Sequence, residues 1–210
     1  LNNITQSIMC NNISFLGPKG TFTHEAAYIL EGNLIPYCTI PAVMESVSNG
    51  ECQFGVVPIE NSIEGPVGLT LDSLAHKFDL KIFKEMVIPI NQNLIVNPKT
   101  VMNDITDVYS HSQAIAQCQE FIRDNEIQPH YAVSTARAAK SILGDKTKAA
   151  IGNSKAAEIY GLEILKPNIQ DLDNNETRFV VLSKNDHEPT GRDKTSIIFS
   201  IYEDKPGMLY

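Results

Sequence analysis

Strand-like and helix-like segments alternate along most of this chain, and this alternation is the feature that most limits its possible folds. Short polar loops separate the segments. The predicted strands are ISFLG, QFGVVPI, two extended stretches between Leu80 and Val96 interrupted near Pro89, DVYSH, QPHYAV and KAAIGN. A strand–helix–strand rhythm with short loops indicates parallel or mixed sheets covered by helices on both faces. The sequence therefore predicts an α/β protein.

Residues typical of helix ends support the predicted helices. A side-chain oxygen at the N-cap accepts a hydrogen bond from a free backbone N–H, and glycine favours the helix C-terminus. The first helix, TFTHEAAYILEG, is predicted to end just before Gly32, and SQAIAQCQEFIRD is predicted as one continuous helix. The candidate N-caps in chain order are Thr21 or Thr23, Thr39, Ser134 or Thr135, and Ser154.

Charge and composition exclude several classes of protein. The net charge of the 210 residues is -8 and no basic cluster occurs, which argues against nucleic-acid binding. No apolar run approaches the roughly 18 residues of a membrane span, and the N-terminus LNNITQSIMCNN lacks the pattern of a signal peptide. The four cysteines have no CxxC or zinc-like spacing. These observations predict a cytoplasmic protein that binds neither membrane nor nucleic acid.

Polar residues follow the predicted strands, where ligands bind in open α/β sheets. Hydroxyls, amides and helix N–H groups dominate this set, whereas paired carboxylates and metal-ligand clusters are absent from it. Such groups suit a small carboxylate better than a phosphate, because no phosphate loop is present. The set consists of Gly17-Pro18-Lys19-Gly20-Thr21, Glu60-Asn61-Ser62, Ser110-His111 with Gln113, Ser134-Thr135, and Gly152-Asn153-Ser154.

Each of these residues also has a purely structural interpretation. Ser134 can act only as an N-cap, Gly17 can serve only a tight turn, His111 can be a buried core histidine, and Glu60 can be a solvated loop charge. The residues alone therefore predict an α/β protein that binds a small carboxylate. They do not separate an enzyme from a solute-binding module.

A hydroxyl and a cation precede the last strand predicted in the main part of the chain. Phe179-Val180-Val181-Leu182 is an apolar run of strand length, and Thr177-Arg178 stands directly before it. A guanidinium binds a carboxylate through two parallel hydrogen bonds, most strongly where water is partly excluded. We therefore expect Arg178 to hold an anion in a cleft.

The C-terminal residues have a different character. Residues 184–194 are charged, contain proline and glycine, and are predicted to form a linker. The following TSIIFSIYEDKPGMLY predicts one strand and a tight turn, which cannot make a domain. We expect residues 195–210 to be the beginning of a second, incomplete domain or to be completed by a partner chain.

Six motifs together resemble prephenate dehydratases, in which they occur in the same order. The resemblance covers nearly the whole chain after about residue 12, and the terminal SIIFSIYEDKPGMLY resembles the opening of the ACT regulatory domain that follows in that family. The motifs are FLGPKGTFTHEAA, GVVPIENSIEGPVGLTLD, VYSHSQAIAQC, VSTARAAK, AAIGNSKAAEIYGL and NETRFVVLS.

The resemblance implies a two-lobed fold similar to periplasmic-type binding proteins, with mixed sheets and the active site in the cleft between the lobes. The catalytic domain would span residues 12–183. Its lobe boundary would lie near residues 80–97, and the chain would return to the first lobe near residues 178–183. Residues 195–210 would begin a truncated ACT segment of ferredoxin-like fold.

The resemblance also implies an activity and its residues. The activity is conversion of prephenate to phenylpyruvate, water and carbon dioxide, in phenylalanine biosynthesis, without a cofactor or a metal. Catalytic roles are implied for Thr177, Arg178 and Asn61. Substrate-binding roles are expected for Gly17, Pro18, Glu60, Ser62, Ser110, His111, Gln113, Gln117, Ser134 and Thr135.

Regulation and assembly are expected from the same resemblance. L-Phenylalanine is the effector of the complete family protein, and a homo-dimer or homo-tetramer is expected. The effector motif usually written Gly-Ala-Leu is here Gly207-Met208-Leu209. Two alternatives stay open: a cyclohexadienyl dehydratase that also acts on arogenate, and a binding module for small carboxylates that performs no chemistry.

Overall fold

The computed structural model describes residues 11–199, which form two lobes, each built on one mixed sheet. The strands are β1 (Asn12–Leu16), β2 (Asn33–Tyr37), β3 (Phe54–Asn61), β4 (Gly65–Pro66), β5 (Lys81–Pro89), β6 (Asn93–Val96), β7 (Asp107–Ser110), β8 (Gln128–Tyr131), β9 (Lys148–Gly152), β10 (Glu163–Lys166) and β11 (Glu176–Ser183). The helices are α1 (Phe22–Tyr28), α2 (Ile40–Ser48), α3 (Gly68–His76), α4 (Ser112–Ala116), α5 (Gln119–Asp124), α6 (Thr135–Ser141) and α7 (Ser154–Tyr160), with a 3-10 turn at Met102–Asp104.

The first lobe contains the sheet with strand order β2-β1-β3-β11-β5, and the short strand β4 pairs with β3. Strands β1, β2 and β3 are parallel, whereas β11 runs antiparallel to both of its neighbours, β3 and β5. The second lobe contains the order β10-β6-β9-β7-β8, in which β7 is parallel to β8 and β9. The predicted α/β class with two mixed sheets is confirmed.

The chain crosses between the lobes twice. It enters the second lobe through residues 90–92, between β5 and β6, and returns through residues 167–175, between β10 and β11. Strand β11 therefore follows the second lobe in the chain but belongs to the sheet of the first lobe.

Apolar side chains cover both faces of each sheet. In β11, Phe179 and Val181 pack with Ile13 and Phe15 of one cluster, while Val180 and Leu182 pack in a second cluster against α2. This division follows from strand geometry, because successive side chains point to opposite faces. The continuous run Phe179–Leu182 is apolar since both faces of this central strand are buried.

Three local predictions differ from the structure. Helix α1 ends at Tyr28, well before Gly32, because β2 begins at Asn33 and pairs with β1. We did not predict β2, which contains Pro36 and lies at the sheet edge, where proline is tolerated. The N-cap of α7 is Asn153 rather than Ser154, since its side-chain oxygen accepts from the Ala156 backbone N–H at 2.9 Å.

The predicted helix SQAIAQCQEFIRD is broken into α4 and α5. Cys118 has φ -127° and ψ 29°, which lies outside the helical region. The Asp171 carboxylate accepts hydrogen bonds from the backbone N–H groups of Gln119 (2.9 Å) and Glu120 (3.1 Å). This distant carboxylate satisfies the free N–H groups of a new helix start, which the local sequence could not reveal.

The C-terminal predictions are only partly within the described residues. Residues 193–199, which include the beginning of the predicted ACT strand, have no regular secondary structure, and Ile197, Ile198 and Phe199 are exposed. The candidate effector residues Gly207, Met208 and Leu209 lie outside the described residues.

Candidate active site

A cleft with a volume of about 480 Å³ lies between the two lobes. The first lobe contributes Thr21, Phe22, Thr23, Pro58, Asn61, Glu64, Gly65, Pro66, Val67, Thr177 and Phe179 to its lining. The second lobe contributes His111, Gln113, Ala114, Gln117, Val133, Ser134 and Thr135, and the crossovers contribute Ile90, Gln92 and Asn175. A ligand in this cleft would contact both lobes at once.

Asn61 organises the polar side of the first lobe. Its side-chain oxygen accepts hydrogen bonds from the backbone N–H groups of Ile63 (3.0 Å) and Glu64 (3.1 Å). Its Nδ2 donates to Asn175 Oδ1 (2.8 Å), to the Glu176 carbonyl oxygen (3.1 Å) and to Thr177 Oγ1 (2.8 Å). A backbone N–H can only donate and a backbone carbonyl can only accept, so these contacts determine the orientation of the Asn61 amide.

The same network determines what Thr177 can do. Thr177 is 8% exposed and lies in β11, with its side chain in the cleft lining. Since its Oγ1 accepts from Asn61 Nδ2, the hydroxyl hydrogen is not used in that contact. The Thr177 hydroxyl can therefore donate its hydrogen to a ligand in the cleft.

Two lining residues carry buried polar atoms that have no hydrogen-bond partner among residues 11–199. These atoms are Asn175 Nδ2 and Gln92 Oε1, and both residues are only 3% exposed. A buried polar group left without a partner costs about 1–3 kcal/mol. A ligand that supplied the missing partners would remove this cost.

The second lobe presents helix starts to the cleft. His111 is the N-cap of α4, and its Nδ1 accepts from the Gln113 backbone N–H at 3.4 Å. Ser134 is the N-cap of α6, accepting from the Arg137 backbone N–H at 3.1 Å. Gln117 Oε1 accepts from Gln92 Nε2 at 3.1 Å, so this pair connects α4 to the crossover. Both interpretations of Ser134 hold, because it caps a helix and lines the cleft.

Arg178 does not lie where the sequence led us to expect it. Its guanidinium contacts Glu60 Oε2 (3.3 Å) and Glu85 Oε1 (3.8 Å), its side chain is 46% exposed, and it is absent from the cleft lining. The strand begins at Glu176, so Thr177 and Phe179 share the cleft face while Arg178 points to the other. The structure thus places Arg178 outside the cleft lining, and its catalytic role stays a prediction.

Five other expected substrate-binding residues also lie outside the cleft lining. Ser110 is fully buried and donates to the Ile151 carbonyl oxygen at 2.7 Å. Ser62 donates to the Asn174 carbonyl oxygen and accepts from the Glu176 backbone N–H. The Gly17 backbone N–H donates to the Tyr37 carbonyl oxygen, and the peptide bond between Gly17 and Pro18 is cis. The Glu60 carboxylate forms an ion pair with Arg178. The structure therefore does not bring these five residues into the cleft lining, and their substrate-binding roles stay predictions.

Ionisable groups are scarce in the lining. Glu64 and His111 are its only ionisable residues, and no lysine or arginine belongs to it among residues 11–199. Within the same range, His, Cys, Asp and Glu side chains form no group of three or more that could hold a metal ion. Hydroxyls, amides and backbone N–H groups are therefore what the cleft offers to an anion.

Sequence reasoning missed Asn175 and Gln92. Both lie in the crossovers, which join elements of different lobes, whereas the strand-end candidates from the sequence lie where a strand leads into a helix of the same lobe. The available signal for Asn175 was its position two residues before Thr177 in an otherwise polar stretch. For Gln92 it was an amide side chain at the interruption near Pro89.

Comparison with known proteins decides the family. A family model described as prephenate dehydratase matches residues 13–187. The chain belongs to the prephenate dehydratase family. All the described strands and helices lie within or directly beside the matched range, so the family match covers both lobes of this chain.

Individual relatives support the same assignment. The prephenate dehydratase of Methanocaldococcus jannaschii is 43% identical over 204 residues, covering 92% of this chain and 73% of that protein. The bifunctional chorismate mutase/prephenate dehydratase of Aquifex aeolicus is 43% identical over 94% of this chain. This chain spans only 55% of the length of the Aquifex aeolicus protein.

A solved structure has a fold similar to that of this chain. The crystal structure of prephenate dehydratase from Arthrobacter aurescens in complex with L-Phe matches with a TM-score of 0.77 and 33% identity. The match covers 88% of this chain and 63% of that chain.

Within residues 11–199, every helix is too short or too polar to span a lipid bilayer.

Proposed function

We propose that this chain converts prephenate to phenylpyruvate, water and carbon dioxide in the cleft between its lobes. Family membership supports the reaction, and the cleft provides a site that a ligand of this size can enter from solvent. One observation carries the chemistry. The hydrogen bond from Asn61 Nδ2 to Thr177 Oγ1 leaves the Thr177 hydroxyl hydrogen free to be donated.

The reaction needs one proton at one oxygen. When the ring carboxylate leaves as carbon dioxide, the electrons of the broken carbon–carbon bond enter the ring and expel the ring hydroxyl. That hydroxyl leaves as water after it accepts a proton, which the Thr177 hydroxyl delivers or relays. Because the ring becomes aromatic, the reaction is strongly favourable, and the protein mainly has to position the substrate and supply the proton.

Neutral donors hold the substrate in this proposal. Prephenate carries two carboxylates, while the lining contains neither Arg178 nor another cation among residues 11–199. The hydroxyls of Thr23 and Thr135 and the side chain of Gln113 supply donors on facing walls of the cleft. Phe22, Val67 and Phe179 supply apolar surface for the ring.

The related substrate arogenate is a second candidate, and Glu64 favours it. Arogenate carries an ammonium group where prephenate carries a keto group, and a carboxylate attracts an ammonium. Glu64 lines the cleft beside the Asn61 network, since its backbone N–H donates to Asn61. The position of this carboxylate is the reason to test both substrates.

A single assay tests the proposal. The purified chain is incubated with prephenate near neutral pH, and phenylpyruvate is measured by its absorbance in alkali, with heat-inactivated protein as the control for spontaneous conversion. We expect enzyme-dependent formation of phenylpyruvate. A parallel incubation with arogenate, read as phenylalanine formed, ranks the two substrates. Specific binding of prephenate without turnover would identify a binding module and overturn the proposal.

Regulation and assembly belong to the same proposal. L-Phenylalanine as an effector is supported by the solved Arthrobacter aurescens complex and by the resemblance of the C-terminal residues to an ACT opening. A cytoplasmic homo-dimer or homo-tetramer is proposed with it. Sedimentation of the chain with and without phenylalanine tests both the oligomer and the effector.

A further inference from the structure

A chain of three amide contacts determines which atom of the Asn175 amide is left without a partner. Two backbone N–H groups, from Ile63 and Glu64, occupy Asn61 Oδ1, so the Asn61 Nδ2 must face Asn175. An Nδ2 donates, and the Asn175 atom that it contacts at 2.8 Å must therefore be the acceptor Oδ1. The remaining atom of the Asn175 amide, Nδ2, is then a donor.

This donor is buried and unsatisfied, and it belongs to a residue of the cleft lining. Asn175 is 3% exposed, and its Nδ2 has no hydrogen-bond partner among residues 11–199. Its backbone is held in place as well, because its carbonyl oxygen accepts from the Ile90 N–H at 2.8 Å. The side chain is therefore fixed by hydrogen bonds at the amide oxygen and at the backbone, and only its NH₂ group is left for a ligand.

Gln92 is the other lining residue with an unpartnered buried polar atom. Its hydrogen bonds do not determine which of its two amide atoms is the oxygen. Its amide contacts only Gln117, and neither side-chain oxygen of this pair accepts from a backbone N–H among the described residues. Exchanging oxygen and nitrogen in both amides preserves their contact. Asn175 is thus the residue whose donor direction the structure determines.

The Asn175 donor lies beside the proposed proton donor. Asn175 Oδ1 and Thr177 Oγ1 both accept from the same nitrogen, Asn61 Nδ2, at 2.8 Å each. The two side chains are therefore neighbours on one wall of the cleft. An oxygen held by the Asn175 NH₂ would bring the adjoining part of the ligand to the Thr177 hydroxyl.

We propose that the Asn175 side-chain NH₂ binds a carboxylate oxygen of the substrate and positions it beside Thr177. This inference rests on the proposed dehydratase function and adds a substrate-binding residue to it. An NH₂ group binds only acceptors, and an ionised acceptor gives the stronger hydrogen bond. A buried donor of this kind also disfavours ligands that present no oxygen at that point.

Asn175→Asp tests the proposal with minimal change of shape. The aspartate keeps an oxygen that accepts from Asn61 Nδ2, but it replaces the donor in the cleft with a second acceptor. We expect KM for prephenate to rise about tenfold or more, because like charges face each other, while the folded structure is kept. Thr100→Val is the matched control, since Thr100 Oγ1 is also buried without a partner among the described residues but is not in the cleft lining. The control should keep its KM within about twofold.

Direct observation of the amide separates this inference from the proposed function. In ¹⁵N-labelled wild-type protein, the Asn175 NH₂ resonances, assigned by their loss in Asn175→Asp, should shift when phenylpyruvate is added. Wild-type protein that fails to convert prephenate, yet binds phenylpyruvate with this shift, would overturn the function and keep the binding role. An unchanged KM in Asn175→Asp, unshifted NH₂ resonances with bound ligand, or no binding of either acid would overturn the role of Asn175.

Discussion

Thr177 and its neighbour Arg178 point to opposite faces of one strand and have different surroundings. Thr177 receives a hydrogen bond from Asn61 in the cleft, whereas Arg178 contacts Glu60 and Glu85 outside it. A threonine hydroxyl is a weak acid, so its usefulness depends on where its hydrogen can go. The Asn61 amide occupies the oxygen and leaves that hydrogen for the ligand.

Removing the hydroxyl of Thr177 tests its role. We expect Thr177→Ala to lower kcat about 100-fold or more, the usual effect of losing a group that transfers the proton. Thr177→Ser is the control, because it keeps the hydroxyl and should retain most of the activity. Steady-state kinetics on variants with native circular dichroism give the comparison, and a folded Thr177→Ala enzyme with near-normal kcat would exclude Thr177 from the chemistry.

Substitution of Arg178 should have little effect on substrate binding. The sequence alone led us to expect Arg178 to hold an anion in a cleft, but the guanidinium lies outside the cleft lining. We now expect Arg178→Ala to keep KM within about twofold and to cost at most about 1 kcal/mol of stability, since its ion pairs are half-exposed. Initial-rate kinetics and urea unfolding measure both quantities. A tenfold rise in KM would mean that the guanidinium enters the cleft when substrate binds.

Helix α1 contains a histidine whose protonation opposes folding. His24 is 6% exposed, its ring stacks on Phe15, and its Nδ1 accepts from the Gly20 backbone N–H at 3.1 Å. Burial, and secondarily the positive charges of Lys155 and Lys19, lower the pKa of His24 below its usual value of 6.5. The folded state therefore favours the neutral ring, which keeps the acceptor for Gly20.

The stability of the protein should consequently fall on mild acidification. A histidine with a lowered folded pKa binds more protons when unfolded, so its contribution is present above pH 6.5 and is lost as pH falls below that value. We expect His24→Asn, whose Oδ1 can replace Nδ1 as the acceptor, to lose less stability than wild type between about pH 7.5 and 5.5. Urea unfolding at both pH values measures this.

Glu25, the next residue, also titrates differently in the folded state. Burial raises its pKa above the usual 4.5, so its contribution has the opposite sign, and it cancels in the comparison because Glu25 is present in both wild type and His24→Asn. Equal losses of stability in wild type and His24→Asn between the two pH values would contradict the role assigned to His24.

At the scale of the whole molecule, α1 also connects the two lobes. Glu25 Oε2 accepts from Asn153 Nδ2, the N-cap residue of α7, at 3.1 Å. The Lys155 ammonium lies 3.8 Å from the centre of the Tyr28 ring, which is close enough for a cation–π interaction. Both contacts lie between the first and the second lobe.

Gly20 allows the lobes to approach each other closely. It has φ +90°, and a Cβ at this position would lie 3.3 Å from Ala136 Cβ and 3.4 Å from Ala156 Cα in the second lobe. Gly50 has a similar φ of +80°, but a Cβ there would meet no atom of the described residues within 4 Å. Both glycines avoid the strain of a positive φ, while only Gly20 avoids a contact between lobes.

The two glycines therefore make a matched pair of substitutions. We expect Gly20→Ala and Gly50→Ala each to lose about 1 kcal/mol from backbone strain, with Gly20→Ala losing more through the crowded contact. Only Gly20→Ala should also raise KM for prephenate, because it pushes the lobes apart. Thermal unfolding and initial rates provide the test, and identical behaviour of both variants would show that the lobes adjust without cost.

The sequence by itself determined the class of fold and several polar residues of the cleft lining. Alternating strand and helix patterns depend on residues close in the chain, so they could be read directly, and strand ends indicated Asn61, His111, Gln113 and Ser134 as lining candidates. The motif order was specific enough to identify the family, which the comparison confirmed. Local sequence patterns were sufficient to predict those strands and helices that depend mainly on interactions between residues close in the chain.

Only the tertiary structure decided the direction of individual side chains. Pairing of β11 with β3 and β5 extends the strand back to Glu176, and strand alternation then turns Arg178 away from the cleft. The donor of Asn175 is defined through Asn61, which is 114 residues away in the chain. Hydrogen bonds between distant segments set these orientations, and such partners become known only when folding has brought the segments together.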